Sequence, residues 1–204
     1  MEKAELRRSL LKTRQSLSIE EWQQKSDRIC FHLQSSTLFT QAKTILAYFS
    51  FRQEPNLSPL FTTNHHCWGF PRCVGDTLCW HIVETGNLSR FLRASVLPVE
   101  PTGVISLQIG AYGILEPLPN TPTLQPDEVD LILVPAVACD YQGYRLGYGG
   151  GYYDRLLSLP EWASKPTIGV VFEFAYLPHL PSDTWDIQLH GVCTEKGLRM
   201  TKYS

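Results

Sequence analysis

The sequence predicts an α/β fold in which helices flank a mainly parallel, Rossmann-like open sheet. Three short apolar runs, at residues 44–51, 129–138 and 167–172, lack the polar alternation of half-exposed strands, which is typical of strands buried on both faces. A glycine-rich loop and a helical stretch lie between the second run and the third. This order of strand, loop, helix and strand predicts a right-handed parallel βαβ unit. No clear linker interrupts the chain, and we expect residues 1–204 to form one domain.

The composition is that of an ordinary globular protein, with 43% hydrophobic and 19% charged residues and a formal net charge of −2. No apolar run approaches the ~20 residues that a membrane helix needs. The balanced charge does not favour nucleic acid or an anionic membrane as a partner. The charged opening segment lacks the apolar core of a secretory signal. We therefore expect a cytoplasmic monomer that acts on small molecules.

Residues 2–17 predict the first helix, which carries two neighbouring stripes at helical spacing. The apolar stripe consists of Leu6, Leu10 and Leu17. The basic stripe lies directly beside it and consists of Lys3, Arg7 and Arg14. A solvated basic face usually lies opposite the apolar one, and that simple amphipathic helix is the alternative here. The neighbouring position favours basic groups at the rim of whatever the leucines cover.

The next elements follow from local signals. Ser18 and Glu21 form a capping-box pattern, which predicts a second helix to about residue 35. The buried run at 44–51 is the first strand, and a short helix is expected near residues 57–62. Further strands are expected at 67–71 and 78–83. Residues 98–126 are rich in proline and glycine and carry no clear pattern.

The cysteines raise the possibility of a metal site. Cys67, Cys73 and Cys79 recur every six residues near several histidines. Their spacing matches no common zinc pattern, and the chain has no CxxC pair. We interpret them as thiols within strands.

The segment RLGYGGGYYDR, residues 145–155, follows the apolar run at 129–138. Open α/β sheets bind ligands beyond the carboxyl ends of their strands. Four glycines there allow sharp turns and close approach to a ligand: Gly147, Gly149, Gly150 and Gly151. Backbone amides of such a loop, with the helix start that follows, favour phosphate. The loop matches neither a Walker A motif nor GxGxxG, and a tight turn without a ligand is the alternative.

Charged residues near this loop suit a nucleotide. Arg145 and the basic stripe could neutralise a triphosphate. Asp154 could either stabilise the helix dipole or bind Mg²⁺ beside phosphates, with Asp186 as a second ligand. Glu54 follows the end of the first buried strand, where it could accept hydrogen bonds from ring N–H groups or be a solvated loop acid.

The stretch RLGYGGGYYDRLL resembles the signature of the 5-formyltetrahydrofolate cyclo-ligases, also called methenyltetrahydrofolate synthetases. The opening Lys3-x-x-x-Arg7 with Arg14 resembles the ATP-binding helix of that family. YFSFRQEPN resembles the strand and acid of its folate site. GILEP and the late WDIQLHGVCTEKG also resemble family segments, in the right order.

The resemblance implies three sets of site residues. The nucleotide contacts would be Lys3, Arg7, Arg14, Arg145, Leu146, Gly147, Tyr148, Gly149, Gly150, Gly151, Tyr152 and Tyr153. The folate contacts would be Phe49, Glu54, Gly149, Gly150, Gly151 and Tyr152. The ligands of Mg²⁺ would be Asp154 and Asp186, and the catalytic residues Arg145 and Tyr152.

The implied reaction is the ATP-dependent cyclisation of 5-formyltetrahydrofolate to 5,10-methenyltetrahydrofolate through phosphorylation of the formyl oxygen. Such a reaction needs position and charge neutralisation rather than a covalent nucleophile. Two other functions stay open at this point. A small-molecule kinase would share the loop, and a non-catalytic binding module acting on RNA would keep the fold. The RNA-binding module is expected to carry basic tails or an aromatic motif, which the sequence lacks.

Overall fold

The structure, a computed structural model, describes residues 2–62, 65–84 and 107–201. The α-helices of this part are α1 (Lys3–Gln15), α2 (Ile19–Gln34), α3 (Thr37–Gln41), α4 (Tyr152–Leu157) and α5 (Pro160–Ala163). A short 3₁₀ helix at Ser58–Thr62 matches the one predicted there. None of the helices in the described ranges is long and apolar enough to cross a membrane.

The strands begin with β1 (Thr44–Leu46), β2 (Cys67–Val74), β3 (Thr77–Ile82), β4 (Leu107–Ile109), β5 (Leu115–Pro117) and β6 (Leu131–Pro135). They continue with β7 (Ala138–Asp140), β8 (Arg145–Leu146), β9 (Thr167–Val170), β10 (Tyr176–Leu177), β11 (Gly191–Thr194) and β12 (Gly197–Met200). Within the unpatterned stretch 98–126, residues 107–117 form the β4–β5 hairpin, and residues 98–106 lie outside the described ranges.

The main sheet has seven strands in the order β12-β11-β9-β6-β1-β2-β3. The five inner strands pair in parallel, as predicted, and β6 and β9 are parallel neighbours in register Leu133↔Ile168. The edge strands β3 and β12 are antiparallel to their neighbours. Each edge strand follows its neighbour after a two-residue connection, and so short a connection can join only antiparallel strands. The fold is thus mixed α/β with a large, mostly parallel sheet.

The inner strands bury both faces, which explains their continuous apolar sequence. Side chains alternate across a strand. Ile45 packs into one core cluster, with Ile29 and Leu33 of α2. Its neighbour Leu46 packs into the other, with Leu10 of α1 and Leu156 of α4. Helices therefore cover the sheet on both sides, as the sequence predicts.

The apolar run at 129–138 was predicted as one strand, and this was wrong. It divides into β6 in the main sheet and β7 in a separate three-stranded sheet, ordered β10-β7-β8. The buried Asp140 carboxylate accepts hydrogen bonds from the N–H groups of Gln142, Tyr144 and Leu180, and Gly143 has a φ of +93°. These contacts close a β7–β8 hairpin. The glycine-rich segment consequently follows β8 rather than the central strand.

The two predicted N-terminal helices are confirmed. Ser18 caps α2, and the N–H groups of Ser18 and Glu21 each bind the other residue's side chain at 3.1 Å. The helix α1 ends at Gln15, so Leu17 lies beyond the helix that was expected to include it. Cys67 and Cys73 lie in β2 and Cys79 in β3, which confirms that these thiols belong to strands.

Candidate functional site

The glycine loop, residues 147–151, connects β8 to α4. Gly149 and Gly151 have φ values of +104° and +66°, a left-handed conformation that L side chains rarely adopt. A Cβ at Gly147 would meet no heavy atom within 4 Å. The side chain of Leu146, the residue before the loop, is buried in the core and does not cover the loop backbone. The loop therefore presents open backbone that a ligand can approach closely.

The basic stripe of α1 lies against this loop and its surroundings. Arg7 donates from Nε to the Gly147 carbonyl at 2.7 Å. Lys3 donates from Nζ to the carboxylates of Asp183 and Asp186, at 2.6 and 2.7 Å. Arg14 donates to the Tyr148 hydroxyl. Lys3 and Arg7 thus lie at a partly exposed rim, as expected, whereas Arg14 is buried. The helix α1 brings Arg7 and Arg14 to a loop about 140 residues away in sequence, and Lys3 to the segment of Asp183 and Asp186.

Arg145 connects the two predicted magnesium ligands. Its side chain is 4% exposed, and one guanidinium nitrogen lies 2.6 Å from Asp154 Oδ1. The other donates to the carbonyl of Ile187, the residue after Asp186, at 3.0 Å. Arg145 therefore links Asp154 to the residue next to Asp186, and its charge is one of the causes that lower the pKa of Asp186.

The two carboxylates are each neutralised by a cation. Burial alone would raise the pKa of Asp186, but the hydrogen bonds from Lys3 and the Asp183 N–H outweigh it and lower that pKa. No group of three or more His, Cys, Asp or Glu residues within the described ranges could form a complete metal cage. Mg²⁺ is commonly bound by one or two carboxylates, with substrate phosphates and several waters completing its coordination. The donor set therefore fits a metal that arrives with a nucleotide.

Glu54 ends a tight turn at the carboxyl end of β1, here called the Glu54 turn (residues 51–54). The Glu54 N–H binds the Phe51 carbonyl at 3.0 Å, and the Phe51 N–H binds Glu54 Oε2 at 3.1 Å. The carboxylate is buried, at 3% exposure, and also binds the Tyr148 hydroxyl. The expectation that Glu54 might be a solvated loop acid is excluded by this burial.

The Glu54 carboxyl titrates near neutrality. Burial raises its pKa to about 7, although the charge of Arg14 and the hydrogen bonds from Phe51 and Tyr148 act in the opposite direction. Removing a carboxylate from water disfavours its charged form. A carboxyl with this pKa can change protonation state during a reaction at neutral pH.

An aromatic cavity of about 380 Å³ adjoins the Glu54 turn. Phe49 lines it and stacks on Phe70, with ring centroids 4.2 Å apart. Other walls come from α2, the short 3₁₀ helix and the β4–β5 hairpin, including Trp22, Phe61 and Ile114. Its size and aromatic walls suit a flat heterocycle, because ligand sites are mostly apolar and concave.

Tyr152 and Tyr153, the first two residues of α4, have different surroundings. The Tyr152 hydroxyl lies 3.3 Å from the Tyr112 hydroxyl, and this hydrogen bond raises the pKa of Tyr152 to about 12. The Tyr153 hydroxyl is buried and has no hydrogen-bond partner among the described residues. Burial and the nearby Glu54 raise the pKa of Tyr153.

The structure adds two neighbours that the sequence did not single out. Asp183 shares Lys3 with Asp186, and its signal was its place three residues before that acid. Tyr112 reaches Tyr152 from the β4–β5 hairpin, where its φ is +66°. The glycines on either side of Ala111 and Tyr112 are a signal that could have predicted a tight turn, but no local pattern indicates which residue the turn would contact.

Fold and site together define a mixed α/β protein with a cation-lined glycine loop beside an aromatic cavity. The model of the 5-formyltetrahydrofolate cyclo-ligase family matches residues 1–67 and 83–195. A 5-formyltetrahydrofolate cyclo-ligase of Haemophilus influenzae is 30% identical over 191 residues, which cover 92% of this chain and 95% of the relative. The chain belongs to the 5-formyltetrahydrofolate cyclo-ligase family and is an enzyme of the ligase class.

Solved structures agree with this assignment. The NMR structure of 5,10-methenyltetrahydrofolate synthetase from Aquifex aeolicus has a TM-score of 0.80 and 32% identity to this chain, covering 100% of it and 95% of the relative. The synthetase from Mycoplasma pneumoniae has a TM-score of 0.69 at 24% identity, covering 96% of this chain and 99% of the relative, and supports the fold alone.

Proposed function

We propose that this protein closes 5-formyltetrahydrofolate to 5,10-methenyltetrahydrofolate at the expense of ATP, releasing ADP and phosphate. The observation that carries the proposal is that the open glycine loop contacts Arg7 of α1 at Gly147 and, through Tyr148, the Glu54 turn, which lines the aromatic cavity. The names of the relatives support the folate substrate.

The chemistry requires a better leaving group than oxide. The formyl group is an amide on N5, and its oxygen must depart when N10 attacks the carbon. Transfer of the γ-phosphoryl group of ATP to this oxygen releases ADP and prepares phosphate as the leaving group. N10 then forms its bond to carbon and loses its proton, while the C–O bond breaks. Phosphoryl transfer asks the protein mainly for positioning and charge neutralisation.

The nucleotide side of the site consists of Lys3, Arg7, Arg145 and the loop up to Tyr153. The glycine loop serves as the phosphate loop of a Rossmann-like sheet in this proposal, because its backbone is open and Arg7 holds it at Gly147. Asp154 and Asp186 would hold Mg²⁺, which when bound neutralises phosphate charge. Arg145 is one of two catalytic residues in this proposal, since its guanidinium is held by the Asp154 carboxylate and by the carbonyl of Ile187, the residue after Asp186.

The folate side consists of Phe49, Glu54 and residues 149–152. Phe49 offers an aromatic wall, and the Glu54 carboxylate can accept hydrogen bonds from ring N–H groups. Tyr152 is the second catalytic residue, placed at the end of the loop where the two sides meet. Arg14 is left out of the nucleotide contacts, because its guanidinium is buried against protein groups.

The proposal also includes the domain organisation, oligomeric state and location of the enzyme. Residues 1–204 act as a single domain, as a cytoplasmic monomer, on small molecules rather than nucleic acid. The modest net charge of −2 supports the absence of a polyanionic partner.

The test is the growth of the methenyl-folate absorbance band with purified protein, ATP, Mg²⁺ and 5-formyltetrahydrofolate. We expect a rise that needs all components and is lost in Asp154→Ala. The exposed acid Asp127 provides a control, and Asp127→Ala should keep wild-type turnover. Phosphorylation of another small molecule, without a methenyl band, would replace the proposal with the kinase function.

A further inference from the structure

The Glu54 turn holds an unfavourable backbone conformation. Arg52 and Gln53 are consecutive non-glycine residues with φ values of +48° and +56°. Non-glycine residues in this left-handed conformation are unfavourable and persist only where their surroundings enforce them. Such turns ordinarily use Asn-Gly or Gly-Gly at these two positions. The conformation therefore points to a constraint imposed on this turn by its neighbours.

Four hydrogen bonds supply that constraint: three are accepted by backbone carbonyls of the turn, and one is donated by the Gln53 side chain. Arg14 Nε donates to the Arg52 carbonyl at 3.0 Å, and Gln53 donates to the Leu17 carbonyl at 3.2 Å. The Glu54 carbonyl accepts from Trp22 Nε1 at 2.9 Å and from Ser50 Oγ at 2.7 Å. Apart from Ser50, the partners lie on α1, α2 and their connection. The two N-terminal helices thus hold the turn that carries Glu54.

Arg14 joins this turn to the glycine loop. Its residue exposure is 3%, and besides Arg52 its guanidinium donates to the Ala136 carbonyl at 3.4 Å and to the Tyr148 hydroxyl. Tyr148 also hydrogen-bonds the Glu54 carboxylate. One buried guanidinium therefore contacts the end of β6, the glycine loop and the Glu54 turn. A triphosphate would have to compete with all three contacts for it.

We propose that Arg14 is a positioning residue that fixes the Glu54 carboxylate relative to the glycine loop, through the Arg52 carbonyl and the Tyr148 hydroxyl. The inference rests on the proposed function, since it assigns Glu54 to the folate side of the same site. The planar fork of Arg14 reaches both groups at once, which the single ammonium of a lysine cannot do.

The position of Arg14 also sets the charge around Glu54. The groups that face Glu54 are Arg14 from α1, Tyr148 from the glycine loop, Tyr48 from the segment after β1 and Tyr153 from α4. Arg14 is the cation of this set, and the three tyrosines have raised pKa values and are neutral. Loss of Arg14 removes the charge that favours ionised Glu54, so its pKa rises and the carboxylate forms only at higher pH.

The first experiment measures kcat/KM for 5-formyltetrahydrofolate against pH in wild type, Arg14→Gln and Arg14→Lys. In Arg14→Gln we expect the acid limb of the profile of kcat/KM against pH to move to higher pH by about 1 unit. One close charge commonly produces a shift of this size. Arg14→Lys keeps the positive charge, so its acid limb should lie at the wild-type pH. Its turnover should stay low, because the lysine cannot reach both the Arg52 carbonyl and the Tyr148 hydroxyl. Arg8→Gln, on the exposed face of the same helix, should match wild type.

A second measurement follows Glu54 without substrate, by NMR of ¹³C-labelled glutamate carboxyls assigned with Glu54→Gln. The Glu54 midpoint should lie near 7 in wild type and higher in Arg14→Gln. If Arg14→Gln fails to fold, Tyr148→Phe removes the bridging hydroxyl and should also raise the midpoint. A wild type without cyclisation ends the proposed function but leaves this midpoint as the test of Arg14.

Two results overturn the inference. In the first, Arg14→Gln leaves both the acid limb of the pH profile and the Glu54 midpoint unmoved but raises the KM for ATP strongly, as Arg7→Gln should. Arg14 would then be a nucleotide contact. The other is a parallel loss of activity in Arg14→Gln and Arg14→Lys at every pH, which a merely structural role predicts.

Discussion

The Arg145 guanidinium is buried and is held by the Asp154 carboxylate and the Ile187 carbonyl. A guanidinium held in this way needs little rearrangement when charge develops on a phosphoryl group nearby. Preorganised groups of this kind are worth more in a water-poor site than in solvent.

We predict that Arg145→Ala lowers kcat by about 10²–10³-fold, the usual effect of losing one preorganised donor. The KM for folate should change little, because in the proposed function Arg145 acts on the phosphoryl group and not on the folate. Steady-state kinetics with both substrates measures the two effects, and Arg8→Ala serves as the control. Wild-type turnover in Arg145→Ala would exclude the catalytic role.

Some elements take their conformation from neighbouring residues in the chain, and others take it from contacts with distant elements. The helix α2 begins where its capping box indicates, so its start depends on residues within one turn. The Glu54 turn has two left-handed residues and no glycine, so its conformation depends on α1 and α2. A prediction from turn propensity alone would not have placed Arg52 and Gln53 there.

A substitution pair tests this strain. Arg52→Val should destabilise the protein by about 1–3 kcal/mol, because a β-branched residue tolerates a positive φ poorly. Arg52→Gly adopts the same φ freely and should be neutral or slightly stabilising. Urea denaturation gives both values from the transition midpoint. Equal stability of the two variants would mean that the turn is not strained at this position.

Across the whole molecule, the site joins segments from both ends of the chain. Lys3 of α1 contacts Asp183 and Asp186, and Arg145 connects Asp154 to the same segment. In this state both predicted magnesium ligands already have cationic partners. A metal ion must compete with them unless phosphates draw the cations away.

Thermal unfolding with different ligands tests this coupling. Mg²⁺ alone should raise the midpoint very little, and Mg²⁺ with ATP should raise it much more. At a ligand concentration 100 times its Kd the gain is about 2.7 kcal/mol, or roughly 5–10 °C for a chain of this size. Lys3→Gln removes one competing cation and should increase the response to Mg²⁺ alone. Equal responses to Mg²⁺ and to Mg²⁺ with ATP would contradict the coupling.

Features that depend only on neighbouring residues in the chain were predictable from the sequence. The helical stripes predicted α1, the capping box at Ser18 predicted the start of α2, and apolar runs predicted the inner strands, because hydrophobic periodicity is recorded locally. The basic stripe beside the leucines also indicated correctly that Lys3 and Arg7 face a rim. The resemblance of residues 145–157 to a family signature indicated the kind of enzyme.

Only the tertiary structure decided which partners those residues meet. Whether Ala138 continues the central strand depends on β8 and β10, which the run 129–138 does not contain. Arg14 carries the same charge as Lys3 and Arg7, yet its partners are the carbonyls of Arg52 and Ala136 and the Tyr148 hydroxyl. The pKa of Glu54 depends likewise on burial and on Arg14. Hydrogen bonding and burial are properties of assembled surfaces, and no local pattern records them.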